Sequence, residues 1–501
     1  MAARGGAVND TVRVAQRLRL DTLDRLSGQG RGWVGPAVDP RALRVGVVHL
    51  GIGAFHRAHQ AIFTELAAAA TGREDWGITG VTQRSASVRD QLMPQDGLYS
   101  VLERGADAAP LRVVGSVRDV VFGAGDPAAV VDRIADPAVR LVTLTVTEKG
   151  YRRDGAGRLD RSDPEVVADL AGRPPRTVVG QLVRGLQRRL AESAEPITLL
   201  SCDNLVGNGD VLRGLVQDIV DALPSSEAGG LADWITTSVR FPSCMVDRIV
   251  PATTAEDRAD ALAVLGLEDR GVVVAEPFSQ WVIEDDFAAG RPAWERAGAV
   301  LTRDVAAWEA VKLRMLNASH SLLAYLGALR GYDTIAAALT EDRLAAAAES
   351  LMVEDVAPTL RVPDGLDLDH YRGQVLTRFA NPALRHRTVQ VAMDGSQKLP
   401  VRLLGTVRDR LAAGAVPRHA ALAVAAWMVY VAQGRDVRGR DLPLDDPMAE
   451  RLGTAGAAAG GDPQRLVDAL LHVDEIFGAD LRDHQGFRAA LVDHVAQLTK
   501  G

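Results

Sequence analysis

Lys312, Asn317 and His320 fall within one short run, Lys312-Leu313-Arg314-Met315-Leu316-Asn317-Ala318-Ser319-His320. An ammonium, an amide and an imidazole are what reduction of a carbonyl needs: a proton for the nascent alkoxide and N–H groups aimed at the developing negative charge. Around them Val311, Met315, Leu316, Leu322, Leu323, Tyr325, Leu326 and Leu329 keep a helical period that stops at Gly331. On a regular helix Lys312, His320 and Asn317 lie at roughly 0°, 80° and 140° around the axis, so all three share one side. A lysine on such an apolar helix is costly unless its charge is used or burial lowers its pKa. Lysine is also scarce: of 57 Lys and Arg residues only Lys149, Lys312, Lys398 and Lys500 are lysines. A chain this rich in Ala and Arg keeps a lysine where an arginine, which never deprotonates, would not serve. Lys500 stands one residue from the end and carries no such weight.

The elements that must hold these groups begin with the run Val45–Leu50, a short buried strand. Gly51-Ile52-Gly53-Ala54-Phe55-His56-Arg57 follows, and a helix is expected over Arg57–Ala70. Strand, glycine turn and helix open a dinucleotide-binding βαβ unit, in which the turn lets backbone approach a pyrophosphate and the helix N-terminus supplies N–H groups. Gly51, Gly53, Phe55, His56 and Arg57 are the candidate cofactor contacts. The third position of the glycine pattern holds His56, a departure from the usual Gly or Ala. A second strand over Trp76–Val81 ends in Thr82-Gln83-Arg84-Ser85, with no acid to grip a ribose. Arg84 could instead meet a 2′-phosphate, so NAD is expected and NADP stays open. His56 and His59 have the spacing of two metal ligands on a helix, but no third ligand stands near them in sequence, and no metal is expected.

Further strands are expected over Leu111–Val117, Leu141–Val146 and Ile197–Ser201, with helices over Pro127–Ile134 and Thr177–Leu190 between them. Alternation of this kind predicts a doubly wound parallel sheet, whose sites lie at the carboxyl ends of its strands. Two polar clusters stand there: Thr147-Glu148-Lys149-Gly150-Tyr151 and Cys202-Asp203-Asn204-Leu205. Asp247 beside Arg248 reads either as a buried ion pair or as a contact to a substrate hydroxyl. From Asp304 onward the periodic segments are helical, over Trp308–Leu329, Thr340–Met352, His370–Phe379, Val401–Ala412, Arg418–Ala432, Pro463–Leu471 and Phe487–Leu498. The segments 379–388 and 394–400 read as polar loops and hold Arg387 and Lys398. The expected organisation is an arm over 1–44, a Rossmann-type dinucleotide-binding domain over 45–295 and a mostly α-helical domain over 296–501. The arm is expected to contain a helix over Thr11–Leu26 and a loop over Gly28–Pro40.

Composition narrows the partners. The net charge of −8, with no Lys/Arg-rich run, argues against nucleic acid. No apolar run is long enough for a membrane span, and Met1–Asp10 lacks the apolar core of a signal peptide. Two cysteines, Cys202 and Cys244, fit a reducing cytoplasm. A small molecule is the expected partner, and the sequence leaves monomer or dimer open.

The stretches G-I-G-A-F-H-R-A-H at 51–59, T-V-T-E-K-G-Y at 145–151, S-C-D-N at 201–204, M-V-D-R-I at 245–249, E-P-F at 276–278, K-L-R-M-L-N-A-S-H at 312–320 and D-G-S-Q-K-L-P at 394–400 together resemble the mannitol dehydrogenase family of long-chain polyol dehydrogenases. The resemblance runs from about Val45 to Leu498. It implies a Rossmann-type domain and a helical domain with the site between them, and a metal-independent oxidoreductase acting on CH–OH groups. It also implies that Lys312 is the general acid/base, that Asn204 and Asn317 hold the reacting oxygen and that His320 orients substrate and lysine. Asp247 and Lys398 would contact hydroxyls. Glu309 and Glu148 would relay the proton, Glu148 from beside the cofactor.

Members acting on mannitol tend to have Gly at the place of Lys149, an Ile-Ala-Asp type of sequence at Leu384-Arg385-His386 and an arginine at Gln390. T-E-K-G-Y and L-R-H-R-T instead resemble the fructuronate reductase (mannonate oxidoreductase) branch. A uronate carboxylate could be answered by Lys149, Arg385, His386 or Arg387. The competing readings are a neutral mannitol or arabinitol dehydrogenase, and an inactive dinucleotide-binding sensor.

Overall fold

The structure is a computed structural model that describes residues 15–26, 32–105 and 109–500. The chain divides into two units, Met1–Arg303 and Asp304–Gly501.

The first unit is built on a parallel sheet whose strands, in chain order, are β1 (Val45–Leu50), β2 (Gly77–Thr82), β3 (Val117–Phe122), β4 (Leu141–Leu144), β5 (Ile197–Ser201) and β6 (Val239–Arg240). Their spatial order is β3-β2-β1-β4-β5-β6, with every neighbouring pair parallel. This is the Rossmann order, which reverses direction between β1 and β4. The central strands Val-Gly-Val-Val-His-Leu, Leu-Val-Thr-Leu and Ile-Thr-Leu-Leu-Ser are almost wholly buried, as continuous apolar runs must be when helices cover both faces. The helices Pro127–Ala135 and Val178–Glu192 begin with side-chain caps from Asp126 and Thr177.

The run Leu111–Val117 is not one strand. Leu111–Val114 lies in a separate four-stranded sheet with Trp33–Val34, Tyr99–Glu103 and Val273–Ala275, and the chain re-enters the main sheet at β3. A third sheet joins Cys244–Asp247, Gln280–Glu284 and Val300–Thr302. Of the arm, Leu20–Leu26 is helical, and Leu18 and Leu23 pack into an apolar cluster with Leu98, Leu111 and Val113. Residues 1–14 and 27–31 of the arm lie outside the described part. The expected helix over Arg57–Ala70 is two helices, Ala54–Ala58 and Gln60–Thr71, broken at His59 (φ −131°, ψ −91°).

The second unit is helical around one apolar core centred on Ala318–Leu329 and Arg418–Gln433. Two corrections concern its site-bearing segments. Lys312–Asn317 is a π-helical stretch between Val305–Val311 and Ala318–Leu329. The segments expected as loops contain short helices, Thr388–Ala392 and Gly395–Leu399. Among the described residues no helix is long and apolar enough to cross a membrane.

Candidate active site

The carboxyl end of β1 turns sharply. Gly51 has φ +97°, and a Cβ there would stand 2.2 Å from the carbonyl oxygen of Thr145, so only glycine fits. Its N–H donates to the Val81 carbonyl at 2.8 Å, tying the turn to the neighbouring strand. A Cβ on Gly53 would meet nothing nearer than 3.8 Å, which leaves backbone open to an approaching group at the start of Ala54–Ala58. This arrangement suits a dinucleotide pyrophosphate.

Behind the turn sits a buried imidazole pair. The rings of His49 and His56 stack at 3.4 Å between centroids, 16° apart in plane. Nδ1 of His49 lies 2.7 Å from the Thr143 hydroxyl and Nε2 lies 2.8 Å from that of Thr145. Burial pushes the His49 pKa down to about 3 and carries that of His56 well below its ordinary value. Two neutral rings can therefore stack where two imidazolium ions would repel.

Arg57 also turns inward, donating to the carbonyls of Gly53 at 3.2 Å and Gly271 at 2.6 Å, with Tyr99 against its guanidinium. Thus Gly51, Gly53 and half-buried Phe55 line the turn, while His56 and Arg57 are packed beneath it. Arg84, past the end of β2, is exposed. His59 donates from Nε2 to the Gln280 carbonyl, 2.9 Å away, and its ring meets Phe55, Phe63 and Trp281. Among the described residues no three His, Cys, Asp or Glu side chains group as a metal site.

At the ends of β4 and β5, Glu148, Lys149 and Asn204 are exposed. Asp203 is buried between their two segments and accepts from the N–H groups of Val146 (3.1 Å) and Thr147 (2.8 Å) and from the Tyr151 hydroxyl (2.7 Å). Sequence reading passed over Asp203 and Tyr151 as site residues, although both stand inside recognised motifs. Asp247 is buried at the end of Cys244–Asp247. Its neighbour Arg248 reaches Glu103 at 2.6 Å and the Glu276 carbonyl at 2.7 Å, an ion pair with a residue far away in sequence. Cys202 and Cys244 are free and buried.

In the second unit Glu309, Lys312, Asn317 and His320 are all buried. A π turn takes one residue more than an α turn, so the regular-helix angles do not hold between Lys312 and Asn317. Such insertions re-aim side chains and are frequent at functional sites. The His320 ring stacks on Phe379 at 4.9 Å and meets His386 edge-on at 4.6 Å. Burial first, then the nearby charges of His386, Arg402, Arg378 and Lys398, lowers its pKa well below the ordinary value. Its Nε2 is buried with no hydrogen-bond partner among the described residues. Such an atom costs free energy unless a ligand uses it. The Lys398 ammonium donates to the carbonyls of Met393 at 2.5 Å and Val391 at 3.3 Å. Of the 385–387 cluster it is His386 that faces His320, while Arg385 and Arg387 are exposed.

A Rossmann sheet with a glycine turn, followed by a helical unit carrying buried Lys312, Asn317 and His320, defines a two-unit dinucleotide-fold oxidoreductase. The sequence profile described as the mannitol dehydrogenase Rossmann domain matches residues 45–296, and that of the mannitol dehydrogenase C-terminal domain matches residues 304–499. The chain belongs to the mannitol dehydrogenase family. It is 42% identical over 469 residues to a D-mannonate oxidoreductase of Escherichia coli, covering 92% of this chain and 95% of that one. It is 38% identical over 459 residues to a mannitol 2-dehydrogenase of Pyrenophora tritici-repentis, covering 90% and 79%. The solved Pseudomonas fluorescens mannitol 2-dehydrogenase, in ternary complex with NAD and D-mannitol, matches with a TM-score of 0.84 at 36% identity, over 96% of this chain and 97% of that chain.

Proposed function

We propose that the chain is an NAD-dependent, metal-independent reductase that interconverts a keto sugar acid and its alcohol, of the fructuronate/mannonate type. The observation that carries the dehydrogenase reading is the buried constellation Lys312, Asn317 and His320 on and just after a π-helical turn. Bound at the Gly51–Gly53 turn, NADH would supply the hydride. Lys312 gives the oxygen its proton in the reducing direction and takes it back in the other. The side-chain N–H groups of Asn317 and Asn204 donate to the oxygen as negative charge develops on it. Neutral His320 orients the substrate through Nε2, Glu309 and Glu148 relay the proton, and Asp247 and Lys398 hold hydroxyls.

The acid substrate is favoured by the positive groups around His320, by exposed Lys149 and Arg387, and by the similarity to the D-mannonate oxidoreductase. The likeness to mannitol 2-dehydrogenases favours a neutral ketose as the second reading. The test is a matched comparison of kcat/KM for D-fructuronate and D-fructose, with NADH and then with NADPH. We expect fructuronate to be preferred by more than tenfold. A preference for fructose would transfer the chain to the neutral polyol group, and turnover with NADPH alone would assign Arg84 to a 2′-phosphate.

A further inference from the structure

Thr147 has φ +68° and ψ 160°, a backbone region that is almost the preserve of glycine, and it is β-branched. It lies where β4 leads into the Glu148–Tyr151 turn. A residue in this conformation persists only where its surroundings over-determine it. Here the Thr147 carbonyl accepts from the Gly150 N–H at 2.9 Å, and one side chain holds the N–H side. The two oxygens of the Asp203 carboxylate accept three hydrogen bonds, from the N–H of Val146, the N–H of Thr147 and the hydroxyl of Tyr151.

Tyr151 is fully buried, and burial raises its pKa well above the ordinary value, so its hydroxyl stays protonated and donates. The Ser201 hydroxyl stands 2.7 Å from the same oxygen and completes the network. Asp203 also fixes its own turn. Its carbonyl accepts from the Asn208 side chain at 3.0 Å and from the N–H of Leu205 at 2.8 Å, both just beyond Asn204 in the chain. Neighbouring donors from two segments thus converge on a single buried residue.

We propose that Asp203 is a positioning residue. It clamps the strained Thr147 backbone and thereby sets the Glu148-Lys149 turn in register with Asn204 across the ends of β4 and β5. The clamp itself rests on geometry. Its consequence for turnover rests on the role proposed above for those residues.

Two variants and two readouts test it. Asp203→Asn turns one acceptor oxygen into a donor facing donors. Thr147→Gly makes the unusual backbone angles cost-free while leaving the hydrogen bonds to Asp203 in place. In hydrogen exchange on the full-length protein, Asp203→Asn is expected to speed exchange of the Val146 and Thr147 amides at least about tenfold, with β4 itself unchanged. In steady-state assays Asp203→Asn is expected to lose at least about tenfold in kcat, at temperatures where circular dichroism shows the native fold, while Thr147→Gly, still held by Asp203, is expected to stay within about threefold of wild type. The double variant should fall no further than Asp203→Asn alone.

Unchanged exchange in folded Asp203→Asn would overturn the clamp. Changed exchange with kcat within threefold of wild type would overturn the positioning role. Should Asp203→Asn fail to fold, Tyr151→Phe decides in its place: it removes one of the three donors to Asp203, and wild-type exchange at Val146 and Thr147 together with wild-type kcat there would overturn the proposal. If wild type turns over neither fructuronate nor fructose, the functional reading fails, while the exchange measurement still judges the clamp.

Discussion

At the ε-amine of Lys312 the choice between lysine and arginine is a choice between a group that can cycle its proton and one that cannot. The scarcity of lysine made that position legible, because only four lysines stand in the chain. Asn317 and His320 were legible by proximity to it. The direction of each side chain was not legible, since the π-helical insertion over Lys312–Asn317 leaves no mark on a periodicity count. Asp203 was missed for a related reason. A buried carboxylate that holds backbone looks in sequence like ordinary turn chemistry beside Asn204. At this scale Asn317→Ala is expected to lower kcat by about 10²–10³ with little effect on dinucleotide binding, the usual cost of deleting one oxyanion donor. Steady-state kinetics beside a dinucleotide-binding titration will check it. A loss confined to KM would recast Asn317 as a substrate-binding residue.

Among the elements, the β1 turn makes the strictest demand on sequence. Gly51→Ala would place a methyl 2.2 Å from the Thr145 carbonyl oxygen at a positive φ. The expected result is loss of several degrees in Tm together with weaker dinucleotide binding, read by thermal denaturation and fluorescence titration. Wild-type values for both would refute the close approach. Beneath the turn, His49 is neutral in the folded protein down to about pH 3, whereas an unfolded histidine takes up a proton below about 6.5.

Between those limits the unfolded chain binds the extra proton. The contribution of His49 is therefore fully present above pH 6.5 and is lost as pH falls toward 3, by up to about 1.4 kcal/mol per unit. Buried carboxylates with raised pKa, such as Asp203 and Asp269, titrate in the opposite sense. The clean measurement is thus a difference: urea unfolding at pH 7.5 and 5.5, for wild type and His49→Gln. Wild type should lose more stability between the two pH values than the variant. Equal losses would contradict a buried neutral ring at this position.

For the whole molecule, the α/β unit followed by a helical one was legible because central parallel strands are continuous apolar runs and the later helices are long enough to show their period. What escaped was assignment between sheets. Nothing in an apolar run distinguishes Leu111–Val114, in one sheet, from β3 a few residues later in another. Helices of five residues, such as Thr388–Ala392 and Gly395–Leu399, are too short to reveal a period and read as loops. The family resemblance compensated for both, because its motifs identify positions that periodicity cannot.

The central claim is that this fold moves a proton through Lys312. Its most direct test is turnover by Lys312→Ala and Lys312→Arg, measured beside NADH binding. Both variants should bind the dinucleotide within a few-fold of wild type and lose about 10²–10⁴ in kcat, the range expected for a lost general acid/base. Turnover by either variant within a few-fold of wild type would contradict the claim.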